Sequence, residues 1–199
     1  MIDDELFVAI TVVFVLYVSY TMYNESDYFQ LKCVISDVNS KKYCVRERKK
    51  LGQASDLLAN VAIKLEKLIS NMQNDLPNNL MVKRIAKKFD SNKIKEILPT
   101  SEYTAYSENK GEKLALCLNE KKDDANSNLI DENTLMYVAM HEVAHIGTVS
   151  VGHNDEFWSN FKTLIEYSVK YNLYQPVDYK NQNKMYCGLN LTDNPYYDS

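Results

Sequence analysis

Glycine and proline are scarce, at five and four in 199 residues. That excludes collagen-like and low-complexity architectures, and no internal repeat is present. An excess of basic charge is also missing. Lys and Arg total 23 against 27 Asp and Glu, for a net charge of −4 and a pI of about 5.5, so composition makes no electrostatic case for direct nucleic-acid binding. The four cysteines, Cys33, Cys44, Cys117 and Cys187, form no CxxC pair, so a zinc site built on them is not expected. Reduced, partly buried thiols are the expected state; one or two disulfides would require an oxidising compartment. Histidine is scarcer still. There are three, and all fall between positions 141 and 153.

A hydrophobic fraction of 45% and a charged fraction of 25% are ordinary for a folded protein, and the length suits one well-cored domain with an appendage. Leu6–Tyr23 (LFVAITVVFVLYVSYTMY) carries no charge and is bounded by Asp3-Asp4-Glu5 and Asn24-Glu25. As a helix it is just long enough to cross a hydrocarbon core, and Tyr17, Tyr20 and Tyr23 suit the interface. An acidic leader without an A-x-A-like site argues against a cleaved signal peptide, and the lack of a polar face argues against a buried core helix. Residues 1–27 are therefore expected to be a single transmembrane anchor and residues 28–199 a catalytic domain. Lys32, Lys41, Lys42, Arg46 and Arg48 all follow the span and no Lys or Arg precedes it, which places the domain on the cytoplasmic side. The sequons Asn24-Glu25-Ser26 and Asn190-Leu191-Thr192 keep a lumenal placement open.

Beyond the anchor, LKCVI and YCVRER flank a polar turn and read as a β-hairpin. The basic run Lys41–Lys50 reads as its solvated face and end. Apolar residues at helical spacing from Leu57 to Met72 give a helix over Gln53–Gln73, followed by a shorter one from a cap at Asn78 or Asn79 to about Phe89. Strands are expected at Tyr103–Tyr106 and Lys113–Leu118, about a turn at Ser107–Gly111. The polar loop Asp123–Asn128 then leads to a helix capped by Asp131 or Asn128. A second helix starts after Asn154 or Asp155, with Phe157, Trp158, Phe161, Leu164, Ile165 and Ser168 on its core stripe. From Tyr174 the tail is expected to be irregular and folded back over the domain, either covering core or walling a cleft.

The chemistry concentrates in Met140–Phe161, MHEVAHIGTVSVGHNDEFWSNF. His141 and His145 are four residues apart, so on a helix they stand a turn apart on one face, separated by roughly 40°. Two imidazoles so placed can aim lone pairs at one ion, and Glu142 lies beside it without having to ligate it. A third protein ligand would leave one position open for water. His153 is the first candidate, because Gly147 can end the helix and Gly152 permits a tight approach. Glu166, on the following helix, is the rival. If the site held no metal, a largely apolar helix would bury two histidines and a carboxylate without partners, at about 1–3 kcal/mol each.

His141-Glu142-Val143-Ala144-His145 followed by Gly152-His153-Asn154-Asp155-Glu156-Phe157-Trp158 resembles the WLM and SprT-like zinc metallopeptidases. The strand at Asn109–Leu118 is similar to the one before their zinc helix. The hairpin and helix at 31–73 look like the start of WLM-type domains, particularly versions from large DNA viruses. The resemblance implies an α+β, minimal zincin-like peptidase domain in which His141, His145 and His153 hold Zn2+ and Glu142 is the general base. Cellular members trim proteins crosslinked to DNA or carrying ubiquitin-like tags. The anchor, the acidic balance and the lack of a recognisable ubiquitin-like or DNA-binding appendage depart from them, so the chemistry is expected to carry over and the substrate is not. Tyr174, Tyr179 and Tyr186 are candidates to stabilise the oxyanion, with a packing role as the alternative for each.

The expected function is a membrane-anchored zinc endopeptidase acting on a protein or peptide substrate. The alternatives are a degenerate zinc-binding membrane protein with a structural or binding role, which would not need Glu142, and metal-dependent hydrolysis of another bond.

Overall fold

The computed structural model describes residues 4–122, 124 and 128–198; most of the polar loop expected at Asp123–Asn128 lies outside them. Helix α1 (Asp4–Glu25) is apolar along its length and buries none of its residues against the rest of the chain. By length and composition it can cross a membrane. The short α2 (Asp27–Gln30) turns the chain into β1 (Leu31–Ile35). Asp27 holds Lys95 at 2.6 Å, and the Thr100 hydroxyl donates to the Asn24 carbonyl at 3.0 Å.

The domain is α+β. β1 pairs antiparallel with β2 (Lys42–Arg46), and β2 pairs with β3 (Ile94–Glu96) in parallel. β3 also runs parallel to β5 (Lys113–Leu116), and β4 (Ala105–Glu108) closes the far edge antiparallel to β5, giving the order β1-β2-β3-β5-β4. The expected hairpin is present. The second strand pair is shifted by two residues at its first strand, because Asn109, Lys110 and Gly111 all take positive φ and place the turn later.

β3 was not expected. Its middle residue is Lys95, and its last, Glu96, is fully buried, so it shows no apolar alternation. Glu96 is satisfied from 50 residues away: it accepts the Arg46 backbone N–H and Nε at 2.7 Å each, and Arg48 Nη2 pairs with the same carboxylate. Arg46 and Arg48 are therefore buried partners of Glu96 rather than part of a solvated basic face, which corrects the expectation for that run. Such a group tolerates burial because every charge has a partner; removing one member is costly, typically about 3–5 kcal/mol.

α3 (Leu51–Asp75) places Leu58, Val61, Ala62, Leu65, Leu68 and Met72 on one buried stripe against the sheet. α4 (Leu80–Lys88) is capped by Asn79, whose side chain accepts the Val82 N–H. α5 (Glu132–Gly147) is capped in the same way by Asp131 and crosses the core with Leu135, Met136, Ala139, Val143 and Ala144 buried. Its end at Gly147 packs tightly on α4. A Cβ there would lie 2.6 Å from Met81 Cγ and 3.0 Å from Ile85 Cδ1. α6 (Asp155–Lys170), capped by Asn154, packs Phe157, Phe161, Leu164 and Ile165 into the same core.

The tail is more ordered than expected. β6 (Lys184–Tyr186) and β7 (Leu189–Leu191) form an antiparallel hairpin. Its two turn residues, Cys187 and Gly188, both take positive φ, the conformation of a tight two-residue turn. The cysteines also depart from expectation: Cys33 is bonded to Cys44 across β1–β2, and Cys117 to Cys187. The second bond links the end of β5 to the turn of the tail hairpin, closing a separation of 70 residues. In the chain-entropy picture a loop of that length stabilises by ~4 kcal/mol.

Candidate metal centre

Helix α5 presents His141 and His145 on its outer face, partly buried, while its other faces are sealed in the core. The chain leaves the helix at Thr148, turns through Gly152 at φ +88°, and returns with His153 pointing at both. His153 Nε2 is 3.0 Å from His141 Nε2 and 3.2 Å from His145 Nε2. Four ligands at zinc–nitrogen lengths of about 2.0–2.1 Å would be separated by about 3.3 Å along each tetrahedral edge. Both spacings from His153 are close to that, and all three ligand nitrogens lie within 4.8 Å of one another, so the donor set can hold a zinc ion with one position left for water. Glu166 is exposed on α6 and is not part of this cluster; the site the structure assembles is the three-histidine one.

An aromatic bed fixes the rings. His145 stacks on Phe157 at 4.3 Å between centroids, and His141 meets Phe157 edge-on at 4.8 Å and Phe161 at 5.2 Å. Trp158 Nε1 donates to the His153 carbonyl at 3.1 Å. Burial, reinforced by the neighbouring imidazoles, pushes His141 down to about 3. Burial together with His153 and Lys110 pushes His145 down to about 4. Both are neutral near pH 7, with lone pairs free for a metal. Glu142 is buried, and that burial pushes its carboxyl up to about 7, partly offset by a hydrogen bond from the Ser107 backbone on β4. A carboxyl poised there can take up and release a proton at neutral pH.

The loop that carries His153 is held by residues that sequence reasoning missed. Lys110 Nζ donates to the carbonyls of Thr148 at 2.7 Å, Val149 at 2.6 Å and Ser150 at 3.3 Å. Glu156 accepts the Val149 N–H at 3.1 Å, the Ser150 N–H at 3.2 Å and the Ser150 hydroxyl at 2.7 Å. Arg84 Nε donates to the Gly147 carbonyl at 2.6 Å and leans on Glu156 at 3.4 Å. Glu156 had a visible signal, a carboxylate in the first turn of a helix that follows a loop. Lys110 had none, since its partners are three backbone carbonyls some forty residues on.

Tyr174, Tyr179 and Tyr186 are all buried. The Tyr174 hydroxyl accepts from Asn194 at 3.1 Å. The Tyr186 hydroxyl accepts the Cys117 N–H at 3.0 Å and donates to the Thr104 carbonyl at 3.2 Å. These contacts give Tyr174 and Tyr186 structural roles, and Tyr179 packs edge-on against Tyr137. The tail hairpin does more than cover core: Leu189, Asn190 and Leu191 join His141 and Glu142 around one cleft.

No family model matches the chain. An uncharacterized protein of Acanthamoeba polyphaga mimivirus is 29% identical over 161 residues, covering 78% of this chain and 80% of that one. An uncharacterized protein of Invertebrate iridescent virus 3 is 39% identical over 59 residues, 30% of this chain and 36% of its own length. One from Invertebrate iridescent virus 6 is 35% identical over 72 residues, 36% of this chain and 39% of its own. Among solved structures, the crystal structure of Wss1 from Saccharomyces cerevisiae is similar at 18% identity and a TM-score of 0.48, covering 64% of this chain and 88% of that one. These likenesses name no reaction for the chain, whose functional reading rests on the histidine triad and Glu142.

Proposed function

We propose that this chain is a zinc-dependent endopeptidase, with residues 1–27 as a membrane anchor and residues 28–199 as the catalytic domain. The observation that carries the reading is the convergence of three imidazole ligand nitrogens within 4.8 Å of one another, next to a buried carboxylate raised to about 7. A structural zinc site is usually closed by four protein ligands; this one offers three and a proton acceptor. His141, His145 and His153 would hold the ion. Zinc supplies Lewis-acid chemistry there, acidifying water and polarising a carbonyl. Glu142 takes the proton from the attacking water and returns it to the leaving amine. The Ser107 N–H holds the carboxylate in place for both steps, and Phe157 and Phe161 keep the imidazoles from turning away.

Two disulfides support a domain facing an oxidising compartment, opposite to the side that the Lys and Arg distribution favours. The long apolar α1, exposed along its whole length, supports the anchor.

The test is proteolysis of an unfolded protein substrate by the full-length chain in detergent, loaded with zinc, with Glu142→Gln as control. Cleavage by the wild type that falls by about 10²–10⁴-fold in Glu142→Gln supports the reading. Zinc bound in both with cleavage in neither would contradict the endopeptidase reading and support the degenerate binding protein.

A further inference from the structure

The cleft beside the triad has a volume of about 190 Å³ and a mostly apolar wall, to which Thr104, Tyr186 and Asn190 add uncharged polar groups. Ala105 stands on β4, Tyr137 and Val138 on α5, and Leu189 and Leu191 on β7, and His141 and Glu142 line the same cleft. Among the described residues that line it, Glu142 is the one carboxylate, and no Lys or Arg reaches it. The space is of the size of a single side chain and opens directly beside the groups that would perform the chemistry.

The wall is built to stay in place. The Cys117–Cys187 bond ties the hairpin turn to the end of β5. The Cys187 N–H donates to the Asn119 carbonyl at 3.0 Å and the Gly188 N–H to the Glu120 carbonyl at 2.8 Å. Tyr186 pins β6 to the Thr104 carbonyl, and Lys184 pairs with Asp131 at 2.8 Å. Leu189 is nonetheless 57% exposed. It lines the cleft and still leaves apolar surface open to solvent, although the hairpin that carries it is anchored at its turn and along its other strand.

Resting on the peptidase reading, we infer that β7 is the specificity wall of this site, and that it selects a substrate with an uncharged apolar side chain next to the bond to be cut. A leucine or phenylalanine side chain entering the cleft exchanges water for the surfaces of Tyr137, Val138, Leu189 and Leu191. An aspartate would be desolvated there with no Lys or Arg in the wall to pair with it. A lysine would bind Glu142 itself and remove the group that must take the proton. Hydrophobic pockets discriminate by about 10–200-fold for modest changes in side chain, and a charge desolvated without a partner extends that range.

The experiment uses the full-length Glu142→Gln chain loaded with zinc, which separates binding from cleavage. Fluorescein-labelled peptides that differ at the two central positions, with Leu, Phe, Asp or Lys at each, are titrated and followed by anisotropy. At one of the two positions Leu and Phe are expected to bind at least about 10-fold more tightly than Asp. Leu189→Lys, a change at an exposed position that leaves the fold intact, should erase that preference and favour Asp instead. Leu191→Ala should weaken Leu binding without creating a preference for Asp. Equal binding of all the peptides, no measurable binding, or an unchanged preference in Leu189→Lys overturns the inference. The proposed reaction fails separately, if the zinc-loaded wild type cuts no unfolded protein while these peptides still bind with the expected selectivity.

Discussion

At the scale of single residues, the site sets burial against charge. His141 and His145 are held neutral by their own partial burial against Phe157 and Phe161, and Glu142 is held partly protonated by burial. The consequences for the metal-free protein have opposite signs. Both histidines fold with pKa values below the unfolded value of about 6.5, so their stability contribution is complete above that pH and is lost as pH falls toward 4 and 3. The raised Glu142 does the reverse: the folded chain takes up its proton below about 7, and this offsets part of the loss. Two histidines outweigh one carboxyl. The metal-free chain should therefore melt on the order of 3 °C lower at pH 5 than at pH 7.5, and metal-free Glu142→Gln should lose more over the same interval. Thermal melts at the two pH values decide it; a wild-type melting point that rises on acidification would contradict the assignment. Gly147 is the other informative position. Because a Cβ there would press on Met81 and Ile85, Gly147→Ala should cost about 1–3 kcal/mol in denaturant unfolding, through α4–α5 packing rather than through the metal.

At the scale of elements, the loop between α5 and α6 decides whether there is a metal site at all. His141 and His145 are placed by a helix, but His153 is placed by the Lys110, Glu156 and Arg84 contacts to residues 147–150. Lys110→Met should therefore lower zinc affinity by about 10–100-fold, as loss of supporting contacts to metal ligands does, while the melting point of the metal-free chain hardly moves. Lys110→Arg should restore most of the affinity; competition with a chromogenic chelator measures both.

The elements also show what could be read from the chain. α5 and α6 were legible because their signals are local: Asp131 and Asn154 cap them, and apolar residues repeat at helical spacing. The triad was legible for the same reason, since all its residues lie on one helix and the loop after it. β3 was not, because Glu96 is tolerable in the core only through Arg46 and Arg48, which the chain brings from 50 and 48 residues away. The tail hairpin was hidden by a Cys-Gly turn, whose backbone conformation is that of the commoner Asn-Gly signal but whose cysteine is fixed by a distant partner.

At the scale of the whole molecule, α1, the disulfides and the cleft belong to one arrangement. The Cys117–Cys187 bond is both a long-range staple and the tie that holds the cleft wall, and Cys33–Cys44 locks the first hairpin, whose first strand follows α1 and α2. Chain purified without reductant and then denatured should give no maleimide adducts by mass spectrometry, and four after reduction, one for each cysteine; adducts before reduction would contradict the two disulfides. The account as a whole stands on the metal. Elemental analysis of the full-length chain should find near one zinc per chain in the wild type and in Glu166→Ala, and almost none in His153→Ala. A folded wild-type chain without zinc, or zinc that survives His153→Ala and is lost with Glu166→Ala, would contradict it.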